Sequence, residues 1–101
     1  MNEQYSEYDV LEALRSLFFN KQISISTGAA VSDIRYAIAW NLNETQGQKG
    51  IRERFYSNHS NKWVLRKLRI LRKQGNAIDR KFRWYLSDAE VVAQKLIGNL
   101  K

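Results

Sequence analysis

The chain has 101 residues, of which 44% are hydrophobic and 27% are charged; this is the composition of a single globular domain, and it excludes a wholly disordered chain. There is no cysteine, which excludes disulfides, thiolate chemistry and cysteine-based zinc sites, and there is no proline to interrupt a helix. No apolar run is long enough to span a membrane, and the first residues lack the basic-then-apolar pattern of a signal peptide, so we expect a cytoplasmic protein with no membrane partner.

The net charge of +7 is concentrated in one segment. Residues 49–83 contain 12 basic and 2 acidic residues, a net charge of +10, whereas residues 1–48 contain 3 basic and 6 acidic residues, a net charge of −3. A positive excess of this size repels itself and attracts polyanions. A solvated basic face is the alternative interpretation, but the aromatic residues and regular spacing of the segment favour nucleic-acid binding.

The first predicted element is an amphipathic helix over residues 7–20. Its apolar residues Leu11, Leu14 and Phe18 recur at i, i+3 and i+7, which places them on one face. Ser6 is a candidate N-cap for this helix. We interpret the segment as a structural helix that contributes to the core.

A short strand, two further helices and a loop are predicted next. Polar and apolar residues alternate over 22–26, which indicates the strand. Residues 31–42 form a helix with apolar residues at i, i+3, i+7 and i+11, namely Val31, Ile34, Ile38 and Leu42. Residues 43–50 are polar and contain two glycines, which indicates a loop, and residues 51–56 could form a short helix.

The most informative predicted element is a helix over residues 61–74. At 100° per residue its apolar side is formed by Val64, Leu65, Leu68 and Leu71. The opposite side carries a basic ridge, which we define as Lys62, Arg66, Arg69 and Lys73. Gly75 is placed to end the helix in the left-handed conformation. Trp63 and Ile70 fall away from the apolar side and are expected to form a second packing seam.

Residues 77–86 predict a β-hairpin, with Arg80 and Lys81 near its tip. The alternation of residue types predicts that Phe82 and Trp84 lie in the core, which leaves Tyr85 available for a ligand. Ser87 is the expected cap of a last helix.

The stretch from Ser60 to Leu86 resembles the winged helix-turn-helix superfamily. A small polar residue starts a helix that has apolar residues among arginines, a turn containing Gly75 follows, and a basic hairpin comes next. The resemblance implies a fold that is mainly α with a small β-hairpin: a winged helix-turn-helix with flanking N- and C-terminal helices. This single domain, 1–101, would divide into an N-terminal helix and short strand (7–30), a core (31–86) with recognition helix 61–74 and wing 77–86, and a C-terminal helix (87–101).

Two assignments of the upstream helices are open. In the first, residues 31–42 are helix one and residues 50–56 are helix two of the motif. In the second, residues 7–20 are helix one, residues 22–26 are the short first strand, residues 29–42 are helix two, and residues 43–60 are an insertion. The first is favoured because unstructured loops of that length are uncommon, but the recognition helix and the wing are the same in both.

The resemblance also implies a set of DNA contacts. The N-terminal part of the recognition helix would read base edges through Ser60, Asn61, Lys62 and Arg66. Phosphate contacts would come from Arg69 and Lys73 on the helix, from Arg80, Lys81 and Arg83 on the wing, and from Arg52 and Arg54 on the preceding helix. The wing could also reach an adjacent minor groove.

Catalysis is not expected. His59 is the only histidine and cannot form a metal site or a catalytic pair alone, and we interpret it as a turn residue. The carboxylates of the basic segment lack metal-binding spacing, and no phosphate-binding glycine-rich loop is present, so no enzyme activity, metal or cofactor is predicted.

Three functions remain in competition. The first is a nucleoid-associated, double-stranded DNA-binding protein, a small transcriptional regulator that could form a homodimer through its N- or C-terminal helix. The second is a winged-helix protein–protein interaction module that docks through exposed Tyr36, Trp40 and Trp63. The third is an RNA- or single-strand-binding protein that uses the basic hairpin.

Overall fold

A computed structural model describes residues 5–19, 28–47 and 49–99 of the chain. These residues form helices α1 (Glu7–Phe19), α2 (Val31–Gln46), α3 (Ile51–Asn58), α4 (Asn61–Lys73) and α5 (Asp88–Asn99), and strands β1 (Ala77–Arg80) and β2 (Arg83–Leu86). The expectation of a mainly helical chain with one small hairpin is therefore confirmed. The strand predicted over 22–26 lies outside the described residues.

The start of α1 and the end of α2 are fixed by local interactions. The Ser6 hydroxyl accepts a hydrogen bond from the N–H of Tyr8 at 3.3 Å, and the Ser6 N–H donates to the Asp9 carboxylate at 2.8 Å, so the predicted cap is confirmed. Helix α2 runs four residues beyond its predicted end and stops at Gly47, whose φ of +62° suits a residue without a side chain.

The core lies among α1, α2 and α4, which pack against one another. The apolar stripe of each helix supplies fully buried side chains, such as Leu14 from α1, Ile34 from α2 and Leu68 from α4. Helix α3 packs on α2 and contributes Phe55, which is only 1% exposed. The buried side of the basic helix α4 therefore packs against α1 and α2.

Helix α5 is connected to the rest of the fold through Glu90, which is buried. Its carboxylate accepts hydrogen bonds from Arg15 Nε of α1 at 2.5 Å and from Asn76 Nδ2 at 3.2 Å. Burial alone would lower the pKa of Arg15, but its hydrogen bonds to Glu90 and Glu12 raise the pKa above its ordinary value. The Ser87 hydroxyl accepts from the Glu90 N–H at 3.2 Å, which confirms Ser87 as the cap of α5.

The hairpin has a register that corrects one prediction. Ala77 pairs with Leu86 and Arg80 pairs with Arg83, so Lys81 and Phe82 form a two-residue turn. Phe82 is consequently 94% exposed, and its predicted place in the core is wrong. The alternation of β2 begins only after the turn, and within β2 the burial of Trp84 is confirmed at 3% exposure.

Residues 28–30 lie beside β2 and attach it to the start of α2. Ala29 and Trp84 exchange two backbone hydrogen bonds of 2.8 Å. Gly28 packs against the Tyr85 ring so closely that a Cβ on Gly28 would lie 2.6 Å from the ring. Tyr85 is half-buried by this contact and by Phe18, so part of the ring that was expected to be available for a ligand is used in packing.

Candidate nucleic-acid interface

Both ends of α4 are determined by the residues that flank it. At the N-terminus the Ser60 hydroxyl accepts a hydrogen bond from the Trp63 N–H at 3.3 Å. At the C-terminus Gly75 has a φ of +81°, and the Asn76 N–H donates to the Leu71 carbonyl at 2.9 Å, which closes a Schellman motif. The predicted glycine terminus is confirmed, and with Ser60 as N-cap the helix has 13 residues.

The basic ridge lies on the side of α4 opposite its buried face. At 100° per residue the four ridge residues fall within an arc of about 60°. All four are exposed, whereas the opposite side is buried through Trp63, Val64, Leu68 and Leu71. Two expectations are corrected: Trp63 is buried beside the apolar face at 5% exposure and cannot be part of an exposed docking surface, and Leu65 is only partly buried.

The six cations of α4 separate into two groups by their contacts. The Lys67 ammonium lies 5.6 Å from the centre of the Trp63 ring, and Arg72 forms an ion pair of 3.1 Å with Asp79 of β1. Among the described residues, no ridge cation forms an ion pair with a carboxylate. The ridge therefore offers four charges to an external anion, while the other two cations contact the fold itself.

A shallow depression accompanies the N-terminal half of the ridge. It has a volume of about 560 Å³ and is lined by Ser60, Lys62, Leu65, Arg66 and Arg69. The first N–H groups of α4 have no acceptor within the helix, and they carry the positive end of the helix dipole. This end of α4 thus combines side-chain cations, backbone donors and one apolar side chain, a combination that suits a phosphate beside a base edge.

An aromatic cluster supports the turn that precedes α4. The His59 ring stacks on Phe55 at 4.8 Å between centroids and meets Trp63 edge-on at 4.6 Å, with Tyr5 at 5.2 Å. His59 lies between α3 and α4, which confirms its predicted place in a turn. Its ring is half-buried in this packing. The cluster fixes the direction in which α4 leaves the turn.

Arg35 of α2 holds the same turn from the other side, a role that no sequence pattern indicates. Its guanidinium donates to the backbone carbonyls of Tyr56 and His59, each at 2.8 Å, and lies 4.6 Å from the centre of the Tyr56 ring. Burial raises the pKa of the Tyr56 phenol, and the charge of Arg35 partly opposes that shift. The contacts span 21 and 24 residues of sequence, so only the folded chain reveals them.

The remaining predicted contact residues occupy different settings. Arg80 and Lys81 are exposed at the hairpin tip. Arg83 is half-buried and donates to the Gly28 carbonyl at 3.1 Å, which holds β2 in place. On α3, the Arg52 guanidinium lies 5.3 Å from the centre of the Trp40 ring of α2, whereas Arg54 is exposed. The structure therefore gathers Ser60, Asn61 and the ridge on α4, while Arg52 and Arg83 already contact the fold.

Comparison with protein-family models, curated proteins and solved structures found no match to this chain. Across residues 5–19, 28–47 and 49–99, no helix is both long and apolar enough to cross a membrane. The same residues contain no cluster of three side chains suited to holding a metal ion.

Proposed function

We propose that this protein binds double-stranded DNA as a small transcriptional regulator and inserts α4 into the major groove. The observation that carries the proposal is the basic ridge: four exposed cations on one face of a helix whose opposite face is buried. Such a helix can approach a polyanion without giving up its own packing.

The dimensions of α4 suit the groove. The 11-residue separation of Lys62 and Lys73 corresponds to about 16 Å of helix, close to five base pairs along the duplex. The major groove, about 12 Å wide, admits one helix. Asn61, Lys62 and Arg66 at the N-terminal end would reach base edges, and Arg69 and Lys73 would hold phosphates.

The surrounding elements support a winged helix-turn-helix arrangement for this site. The hairpin follows α4 directly, and the Ala29 bridge pairs a residue between α1 and α2 with the second hairpin strand. This bridge supports the second assignment, in which α1 and α2 are helices one and two and α3 belongs to an insertion. The assignment leaves α4 as recognition helix.

Helix α5 offers one candidate surface for a homodimer contact. Val92 and Leu96 are 56% and 59% exposed and lie four residues apart on one helix face. A symmetric dimer would read two half-sites, which for helix-turn-helix proteins lie about one helical turn apart. Sedimentation equilibrium of wild type and Leu96→Glu tests the contact, because the substitution should shift a dimer to monomer.

The proposal is tested by fluorescence anisotropy with a labelled 25-base-pair duplex, the corresponding single strand and an RNA duplex over a salt series. We expect the DNA duplex to bind tightest, with an affinity that falls at least about a thousand-fold between 50 and 200 mM salt if six phosphates are contacted. Equal or tighter binding of the single strand or the RNA duplex would refute the proposal.

One observation favours a second candidate, a protein-docking surface on α2 and α3. Tyr36 and Trp40 are exposed and stack at 6.2 Å between centroids, with Arg52 over Trp40. An apolar docking surface would respond little to salt, so the same salt series separates the two functions.

A further inference from the structure

The hairpin tip exposes an aromatic side chain in a backbone conformation that it does not favour. Phe82 is 94% exposed, more than any other large hydrophobic residue described. Lys81 and Phe82 have φ values of +49° and +67°. A two-residue turn with positive φ at both positions normally contains asparagine, aspartate or glycine. Neither turn chemistry nor packing therefore explains a phenylalanine at this position.

Cations accompany the phenyl ring on the hairpin. Lys81 is its immediate neighbour and is exposed, and Arg80 is exposed with its guanidinium 5.9 Å from the centre of the Tyr85 ring. The tip therefore presents one apolar wedge beside two positive charges. Side chains that penetrate a DNA groove have this chemistry, because the cations contact phosphates while the apolar group enters between bases.

The position of the hairpin relative to α4 favours duplex DNA over other anionic partners. Asp79 of β1 forms its ion pair with Arg72 in the last turn of α4. Phe82 follows Asp79 by three residues, so the tip lies within about 10 Å of the residue that is ion-paired to the last turn of α4. With α4 in the major groove, this tip would lie at the neighbouring minor groove.

We propose that Phe82 is a wedge that enters the minor groove and partly unstacks one base step, which bends the duplex. The inference rests on the proposed function, since α4 must first dock the protein on DNA. Pyrimidine–purine steps such as TA unstack most readily, so the wedge would favour them. The wing would then contribute shape-dependent sequence preference as well as phosphate contacts.

The test uses the full chain and a 25-base-pair duplex with a central TA step, labelled at its ends for energy transfer and carrying 2-aminopurine at that step. Wild type should shorten the end-to-end distance and raise 2-aminopurine fluorescence. Phe82→Asn should bind this duplex about tenfold more weakly and lose both signals. Its melting temperature should equal or exceed that of wild type, because asparagine tolerates the left-handed conformation.

Two further variants make the result specific. Phe82→Leu keeps an apolar wedge and should retain the bend, whereas Tyr8→Ala removes an exposed aromatic ring from α1 and should bind as wild type does. Wild-type binding, bending and fluorescence from Phe82→Asn would overturn the wedge. Binding of Phe82→Asn to a labelled single strand and to anionic vesicles is measured in parallel. If Phe82→Asn loses affinity only for the single strand, Phe82 stacks on an unpaired base, and if it loses affinity only for the vesicles, Phe82 contacts a lipid surface. Either result also overturns the wedge.

The outcome also separates the wedge from the proposed function. If wild type fails to bind the duplex at low salt, both proposals fall. If wild type binds, Arg66→Ala weakens binding and Phe82→Asn does not, only the wedge is wrong.

Discussion

Removing two cations from the C-terminal half of the basic ridge should flatten the salt dependence of DNA binding by a calculable amount. Arg69 and Lys73 are exposed, and among the described residues neither forms an ion pair, so each can release one counterion by contacting a phosphate. Each contact contributes about −0.9 to the slope of log affinity against log salt. Arg69→Gln with Lys73→Gln should therefore reduce the slope by about 1.8.

The change is large enough to measure by anisotropy. Between 50 and 200 mM salt, wild type should lose about 12-fold more affinity than the double variant, from a slope difference of about 1.8 over a fourfold salt change. The matched control is Lys67→Gln, which removes one charge from the same helix at a position that contacts Trp63. A slope change of about 0.9 in the Lys67 variant, equal to the change for each ridge charge removed, would refute the assignment of the ridge as the phosphate-binding face.

Three other predictions follow from contacts of single residues. Arg66→Ala should weaken binding to a selected target site by about 1–3 kcal/mol and relax base preference at one position, as measured by random-oligonucleotide selection; unchanged preference would show that Arg66 reads no base. Glu90→Ala should lower the free energy of unfolding by about 2–3 kcal/mol, as measured by urea denaturation. The loss is smaller than for a fully buried ion pair because Arg15 keeps some solvent contact. A loss below about 0.5 kcal/mol would contradict this prediction. Gly28→Ala should cost about 2–4 kcal/mol in the same assay, because the new methyl group would overlap the Tyr85 ring at a φ of +69°, and wild-type stability would contradict the close contact.

Periodicity alone was sufficient to predict the helix that carries the candidate site. The stripes of α4 repeat over three turns, and its two ends are marked by Ser60 and Gly75, so both the element and its exposed face follow from local sequence. The same reasoning fails at the hairpin tip. Alternation gives the faces of a strand but not where the strand begins, and the two-residue turn places Phe82 outside it.

Sequence patterns do not predict contacts between residues that are far apart in the chain. Glu90 sits where an acidic residue suits the start of a helix, yet its carboxylate bonds to Arg15, 75 residues away. Arg35 looks like an ordinary polar-face residue of α2, yet it holds the turn before α4. Such roles depend on which side chains meet after folding, and a single sequence has no local signal for that.

The central claim is that the basic ridge faces duplex DNA, and titration of ¹⁵N-labelled protein with a duplex at low salt tests it most directly. The account predicts that the largest amide shifts fall on residues 60–73 and on the hairpin tip, while residues of the α2–α3 surface such as Trp40 stay unchanged. Shifts centred on the α2–α3 surface, with α4 silent, would contradict it.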